Sequence, residues 1–239
     1  MPSFTKLVLL SLAIGASACT AIAQDPLAAF PKNYRLALDN DPVSVIRVHY
    51  GAHERIGVHD HSKFPTIYVY FSDSGSVLFE HDEKPPFRLT RPPTTIGAFR
   101  VSPGRIERHA VTNLSDTSSD FLRVELKQAP LNSSLKPFRG KAPESPLRNS
   151  RAIEYRAPEV DVQRIICEQG TPCHMAVSVS PSLLIAFSPL KIVENDAAEH
   201  GELMKNGDVR WVRDSHAVSM VAASDTLVHL LLITLKAQQ

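Results

Sequence analysis

Beyond Gln24 the chain is a series of short β-branched and aromatic segments separated by turn residues, and this pattern constrains the fold more than any other feature. Residues 66–71 read Thr-Ile-Tyr-Val-Tyr-Phe, a run of high strand propensity, and the turn-like residues 72–75 lead into a hairpin partner at 76–81. Apolar and charged residues alternate over 121–127, which is typical of a strand with one buried face. No convincing amphipathic helix of about ten residues follows. The sequence therefore predicts an all-β fold.

A proline-rich stretch over residues 128–150 interrupts the strand pattern. Its four prolines are Pro130, Pro137, Pro143 and Pro146. Together with the Ser, Asn, Lys and Arg residues around them, they are typical of an exposed linker. We therefore predict an N-terminal unit over residues 24–127 and a C-terminal unit over residues 151–239, joined by this linker.

The C-terminal unit resembles a diverged copy of the N-terminal one. Four short segments recur in the same order on either side of the linker: 45–48 and 162–165, 97–101 and 207–211, 109–112 and 216–219, and 121–127 and 230–236. A single pairing would carry little weight. Four pairings in one order predict a duplicated β-unit of roughly 100 residues.

The first 23 residues have the pattern of a secretory signal peptide. Lys6 supplies the positive charge, residues 7–18 form a short apolar stretch, and residues 21–23 give an A-x-A cleavage site. We expect a periplasmic or secreted protein. Cys19 leaves lipoprotein anchoring open as a minor alternative, although the residues before it lack the usual Leu. No later apolar run reaches about 18 residues, so no membrane span is expected.

Cleavage of the signal peptide would leave two cysteines, Cys167 and Cys173. Because exported proteins form disulfides, this pair predicts a bond across the turn-like residues 168–172. Closing so short a loop stabilises the fold by about 2 kcal/mol in the chain-entropy model. The competing interpretation is a redox or metal-binding thiol pair next to His174, although the spacing is not that of a C-x-x-C motif.

The charge balance limits the partners that we expect. The chain has 26 Lys and Arg residues against 25 Asp and Glu residues, and its basic residues are scattered without interleaved aromatics, so nucleic-acid binding is not expected. Phosphate-binding glycine loops, the G-x-S-x-G elbow and H-E-x-x-H are absent from the sequence. The expected partner is a small molecule. A homodimer stays open, because exposed edge strands favour pairing.

Three histidines form a pattern that predicts a metal site. His59 and His61 are one residue apart, so both imidazoles point to the same face of a strand. His109 lies in a second strand-like segment, after the turn at residues 102–104. Two imidazoles from one strand and one from another cover half an octahedron, which leaves positions for water, substrate or dioxygen.

The surroundings of these histidines resemble the two motifs of the cupin superfamily. The residues that carry the first resemblance are Gly51 or Gly57, His59, His61 and Gly75. Those that carry the second are Gly97, Pro103, Gly104, His109 and Asn113. The resemblance covers residues 43–127 well and residues 151–236 weakly. It implies a bicupin with two tandem double-stranded β-helix barrels, in which the inner face of the first barrel holds the metal.

The sequence departs from the cupin pattern at the carboxylate ligand. Thr66 stands where that family places a Glu after its second histidine. An extra residue before His109 puts Glu107 on the same strand face as His109. Three interpretations of Glu107 stay open: a replacement ligand, a partner that orients an imidazole, or a surface partner of Arg105 or Arg108.

The second unit keeps a single histidine of the set, His216. His174 lies just before the position of an H-x-H pair, but the residues after it are Met175 and Ala176. Because one imidazole does not hold a catalytic metal, we expect this unit to be metal-free and to serve as a packing or dimerisation surface.

Several functions are compatible with the resemblance. The most concrete is a non-haem dioxygenase in which the three imidazoles hold a divalent transition metal, with Fe(II) favoured and Mn, Zn, Ni or Cu as alternatives. A metal-dependent lyase or isomerase and a non-catalytic small-molecule-binding protein are the other candidates. Glu107, Tyr68 and Tyr70 are the candidate catalytic residues at the barrel mouth, with core packing as the alternative role of the tyrosines.

Overall fold

The computed structural model describes residues 24–129, 134–145, 147–169, 173–176, 180–194, 201–212, 217–222 and 227–236. The predicted signal peptide lies outside these residues. No helix in this described part of the chain is long and apolar enough to cross a membrane. The described residues contain one short helix, α1 (Pro26–Ala29), and are otherwise strands and loops, so the all-β prediction is confirmed.

Ten strands precede residue 141. They are β1 (Tyr34–Asp39), β2 (Val43–Tyr50), β3 (Arg55–His61), β4 (Thr66–Tyr70), β5 (Val77–His81), β6 (Phe87–Arg91), β7 (Phe99–Ser102), β8 (Glu107–Asn113), β9 (Ser119–Leu126) and β10 (Phe138–Gly140). They form sheet 1, with the order β1-β2-β9-β4-β7-β10, and sheet 2, with the order β3-β8-β5-β6. All pairings in both sheets are antiparallel among the described residues.

Nine further strands follow. They are β11 (Ser150–Arg156), β12 (Val160–Cys167), β13 (Cys173–Ala176), β14 (Ser182–Ala186), β15 (Leu190–Glu194), β16 (Glu202–Met204), β17 (Val209–Val212), β18 (Ala217–Ala222) and β19 (Val228–Leu235). They form sheet 3, with the order β11-β12-β19-β14-β17, and sheet 4, with the order β13-β18-β15-β16. The strand order of sheet 3 repeats that of the first five strands of sheet 1, and the order of sheet 4 repeats that of sheet 2. This repetition supports the predicted duplication and gives two tandem β-barrels.

Sheets 1 and 3 pack against each other and form the central core. On β4, Ile67 and Val69 point into this core, whereas Tyr68 and Tyr70 point to the interior of the first barrel. The central strand β4 is therefore buried on both faces, and its sequence is continuously apolar or aromatic for that reason. Burial of this core stabilises the contact between the two barrels.

The interiors of the two barrels differ in chemistry. Between sheets 3 and 4, the described buried residues are almost entirely aliphatic or sulfur-containing, with Leu184, Leu190 and Ile192 at the centre. The interior between sheets 1 and 2 also holds buried histidine, arginine and glutamate side chains. The second barrel is therefore a packed body, in line with the predicted packing role, and the polar chemistry lies in the first barrel.

The stretch predicted as an exposed linker is not exposed throughout. Within it, Leu135 is buried in the central core and β10 pairs with β7 at the edge of sheet 1. The composition of the stretch could not reveal this pairing, because it depends on a partner strand that is distant in sequence. The boundaries that we predict for the two units stay a prediction.

The predicted disulfide is present between Cys167 and Cys173, whose Cα atoms lie 5.9 Å apart. It joins β12 of sheet 3 to β13 of sheet 4. A disulfide is typical of proteins from an oxidising compartment. The bond therefore favours a structural role for this pair over the redox and metal-binding alternatives.

Arg164 forms a polar connection between the two barrels. Its guanidinium group donates to the carbonyl of Gly97 at 2.8 Å and to both oxygens of Glu154, and it lies 3.0 Å from Nε2 of His229. Gly97 has a φ of 86°, a backbone conformation that glycine adopts without strain. Burial, and then the charge on Arg164, lower the pKa of His229 to about 4.

We expect His229 to make the fold less stable in acid. A histidine in the unfolded chain has a pKa of about 6.5, so the unfolded state binds more protons than the folded state between that pH and about 4. Stability contributed by neutral His229 is therefore complete above the unfolded pKa and is lost as the pH falls through this window. Between pH 7 and pH 4, the free energy of unfolding measured in urea should fall by roughly 1 to 3 kcal/mol less in His229→Gln than in wild type. Equal losses for both proteins would contradict this assignment.

Candidate metal centre

The pairing of β3 with β8 brings the three predicted histidines together. His59 lies directly opposite His109, and His61 lies opposite Glu107 on the same face of sheet 2. One ring nitrogen from each of the three histidines lies within 4.8 Å of the other two. The convergence expected from the H-x-H spacing is therefore present, with two imidazoles from one strand and one from its neighbour.

The orientation of His59 is fixed by hydrogen bonds. Its Nδ1 lies 2.8 Å from the carbonyl oxygen of Gly57, so Nδ1 carries the proton and Nε2 presents a lone pair to the cluster. That Nε2 lies 3.0 Å from Nε2 of His61 and 2.9 Å from the hydroxyl of Tyr34. His59 and Tyr34 are almost completely buried.

The cluster fits a divalent transition metal. His109 is 3% exposed, yet neither of its ring nitrogens has a hydrogen-bond partner in the described structure. Leaving a buried polar atom unsatisfied costs about 1–3 kcal/mol, and a metal would use that lone pair. Imidazole nitrogens suit Fe, Mn, Zn, Ni or Cu, whereas Ca²⁺ and Mg²⁺ prefer oxygen.

The protonation state of the cluster agrees with this fit. Burial lowers the pKa of His59 and His61, and it lowers the pKa of His109 to about 3. All three imidazoles are therefore neutral near pH 7, which is the form that binds a metal.

Glu107 faces the barrel interior but is bound by two arginines. Nε of Arg105 donates to one carboxylate oxygen at 2.8 Å, and Arg123 lies 3.4 Å from the other. Burial raises the pKa of Glu107, but the charge on Arg123 and the hydrogen bond from Arg105 lower it more, to about 2. Arg105, one of the two predicted surface partners, does pair with Glu107, but the Glu107 side chain is buried while Arg105 is exposed. Arg108 pairs with other residues.

No carboxylate ligand is supplied at the position of the missing cupin Glu. Thr66 is buried there, and its hydroxyl donates to the carbonyl of Phe64 at 3.0 Å. The described donor set of the cluster is therefore three histidines and no acid.

A cavity of about 280 Å³ adjoins the cluster. Its aromatic wall is formed by Tyr34, Tyr50, Tyr68, Tyr70, Phe79 and Phe121. The wall also includes His61 and His109, so the candidate metal centre opens onto the cavity. Tyr68 and Tyr70 both line the cavity and pack against Phe121, so the two roles considered for them coexist.

A further imidazole, that of His81, lies beside the cluster, and its spacing in the sequence did not assign it to the site. His81 lies on β5 directly opposite His109, with the ring centroids 5.1 Å apart, and it stacks on Phe87. Alternation along β5 puts His81 on the same face as Val77 and Phe79, but its register against β8 could not be read from the sequence. Burial lowers the pKa of His81.

The remaining histidines lie away from the cluster or beyond the described residues. His49 and His53 are exposed and pair with Asp120 and Asp116. His216 lies outside the described residues. The absence of a metal in the second barrel therefore stays a prediction.

The sequence matches no protein-family model and no curated protein. The structure is similar to that of the bacterial pirin YhhW from Escherichia coli in complex with nickel(II), with a TM-score of 0.59 and 13% identity over 83% of this chain and 84% of that one. It is also similar to the Mn(II)-containing oxalate decarboxylase of Bacillus subtilis, with a TM-score of 0.54 and 11% identity over 87% and 76% of the two chains.

A salicylate 1,2-dioxygenase variant from Pseudoaminobacter salicylatoxidans is a further neighbour, with a TM-score of 0.51 and 12% identity over 81% of this chain and 71% of that one. These proteins share the cupin fold. The chain described here has that fold too, as its two motifs indicate. At such low identity the likeness extends to the fold and not to the reaction.

Metal analysis tests the three-histidine cluster. The purified protein should carry about one transition-metal ion per chain. His59→Ala should lose this ion, because two imidazoles bind a divalent metal more weakly than three. His49→Ala, on the exposed side of the same barrel, and His216→Ala should keep the ion. Elemental analysis by plasma mass spectrometry measures this. Equal loss in His59→Ala and His216→Ala would contradict the asymmetry between the barrels.

Glu107→Gln separates the ligand role from the pairing role. Because arginines bind both carboxylate oxygens, the variant should keep the metal, while its free energy of unfolding falls by roughly 2 to 4 kcal/mol as a buried ion pair is broken. Metal content and urea unfolding are measured on the same sample. A folded variant without metal would identify Glu107 as a ligand.

Proposed function

We propose that this chain is a metal-dependent cupin enzyme of the non-haem dioxygenase type, which acts on a small organic substrate. One observation carries the proposal: three neutral imidazoles, of which His59 and His109 are buried and His61 is half-buried, converge beside a cavity of about 280 Å³, and the nitrogens of His109 have no other described partner. Fe(II) is the favoured metal, and Mn, Zn, Ni or Cu suits the same ligands.

Three protein ligands are the number expected of a catalytic rather than a structural site. When bound, a divalent metal supplies open positions at which an organic substrate and dioxygen are held side by side. The residues of the chain would hold the metal in place and orient the substrate in the cavity. The cavity lies near the lower end of the range for small-molecule sites, roughly 300–1,000 Å³, so the substrate is small.

The other cavity residues support oxidation more than proton-transfer chemistry. General acid–base catalysis needs a group whose pKa lies near the working pH. The pKa of Glu107 is lowered to about 2. Burial raises the pKa of Tyr68, and it raises the pKa of Tyr50 to about 12. Burial also lowers the pKa of His61 and His81, and it lowers that of His109 to about 3, so these cavity imidazoles are not tuned to neutral pH either. A reaction that relies on the metal suits such a site.

The candidate catalytic residues receive distinct roles in this proposal. Glu107 holds Arg105 and Arg123 in position and is a positioning residue. Tyr68 accepts a hydrogen bond from Arg123 at 3.0 Å, which leaves its own proton free to donate to a substrate. Tyr70 contributes an aromatic wall.

The structural neighbours add support of a general kind. A nickel(II) pirin, a Mn(II) oxalate decarboxylase and a salicylate dioxygenase have the same fold, which is compatible with metal-dependent chemistry here. A metal-dependent lyase is the second candidate, favoured by the likeness to the decarboxylase. The N-terminal signal pattern and the disulfide support a periplasmic or secreted location.

Nitric oxide tests whether the site has open positions. Fe(II)-loaded protein exposed to nitric oxide without air should give the electron paramagnetic resonance signal of a high-spin iron–nitrosyl, because three ligands leave room for a further one. His59→Ala should give no such signal, and His49→Ala should match wild type. Metal-loaded protein without a nitrosyl signal would point to a closed structural site. Turnover that needs no dioxygen would favour the lyase.

A further inference from the structure

The charges that line the cavity are not balanced. Four arginines contribute to the wall: Arg91, Arg100, Arg105 and Arg123. Glu107 is the acidic residue among the described cavity-lining residues. Arg105 and Arg123 are paired with Glu107, and Arg123 also binds Glu125 at 2.8 Å. Two arginines thus remain without a carboxylate.

Arg91 is buried and has no counter-charge among the described residues. It is 5% exposed, its guanidinium carbon lies 5.2 Å from the ring centroid of Tyr70, and Nη2 donates to the hydroxyl of Ser119 at 2.9 Å. Its Nε is buried and has no hydrogen-bond partner among the described residues. A buried cation that lacks an anion is costly.

Arg100 lies over the other cavity tyrosine of β4, much as Arg91 lies over Tyr70. Its guanidinium carbon lies 4.3 Å from the ring centroid of Tyr68, and its Nε is also buried without a described partner. Because Tyr68 and Tyr70 are two residues apart on β4, the guanidinium groups lie over rings spaced about 7 Å along the strand. Neither arginine forms an ion pair within the described part of the chain.

The approach to these arginines is positively charged as well. Arg91, Arg100 and Tyr70 also line an adjoining cleft, whose other charged residues are Arg139 and Lys141. No acidic residue contributes to the described lining of that cleft. A field of one sign along a cleft attracts ligands of the opposite charge.

We propose that Arg91 and Arg100 bind the carboxylate of the substrate, and that the substrate is a small aromatic or otherwise flat organic acid. The planar guanidinium fork matches a carboxylate. The tyrosine and phenylalanine rings of the wall suit a flat apolar body. The inference rests on the proposed function for the role of this acid as substrate, but binding of the acid does not require the metal.

Benzoate and its neutral isostere benzamide are the probes. Isothermal titration of wild type should show benzoate binding at least about tenfold tighter than benzamide, since a charge-assisted hydrogen bond contributes that much. Arg100→Met should weaken benzoate binding by about tenfold or more and leave benzamide unchanged. Arg88→Met, on the exposed side of β6, is the matched control and should bind benzoate as wild type does.

Arg91→Lys provides a second variant, which retains the charge but loses the fork, and it should weaken benzoate binding as well. If this buried variant does not fold, Arg100→Met decides. Absence of benzoate binding, equal binding of benzoate and benzamide, or full benzoate affinity in Arg100→Met would overturn the proposal.

Metal content separates this proposal from the proposed function. Arg100→Met and Arg88→Met should keep the metal of wild type. If His59→Ala loses the metal but still prefers benzoate over benzamide, the carboxylate site is confirmed independently of the metal. If wild type binds metal and binds both probes equally, the carboxylate site fails and the metal function stands.

Discussion

The register between β3 and β8 is the constraint on which the candidate site depends. It places His59 opposite His109, and the strand geometry puts His61 on the same face. Ile56 and Val111, which lie opposite each other, are buried in the apolar cluster of the first barrel, and a register shift between Ile56 and His59 then brings His59 opposite His109. A slip by one residue would turn the imidazoles out of the barrel, because side chains alternate between the two faces of a sheet.

The two barrels use one fold for different purposes. The described interior of the second is apolar and close-packed, as a stabilising core requires. The first keeps polar groups inside, and their cost is offset where pairs form, as between Arg123 and Glu125. At His109 and Arg91, buried nitrogens have no hydrogen-bond partner among the described residues, and the proposed metal and carboxylate would supply one.

Sequence alone predicted the parts of the site that depend on local geometry. The H-x-H spacing fixed two imidazoles on one face of a strand, and the likeness to the second cupin motif brought His109 beside them. The sequence could not place His81 or Arg91 near the site, because their proximity to it depends on the registers of β5 and β6. Likewise the alternation of β8 placed Glu107 correctly, but its partner Arg123 comes from another sheet.

For the fold, as for the site, the sequence predicted the local features and not the long-range pairings. Short β-branched segments and turn residues identified an all-β chain, and the recurrent segments identified two units. The strand β10 was missed, since its proline-rich surroundings resemble a linker and its pairing with β7 is not local. The shared core of sheets 1 and 3 was also beyond the sequence, because an apolar run indicates a buried strand but does not identify the sheet that covers it.

Anomalous diffraction from a crystal of the metal-loaded protein, recorded at the absorption edge of the metal, tests the central claim most directly. The account predicts one strong peak in the first barrel, at about 2.0–2.2 Å from one nitrogen each of His59, His61 and His109. A peak bonded to Glu107, or one that lies outside this cluster, would contradict it.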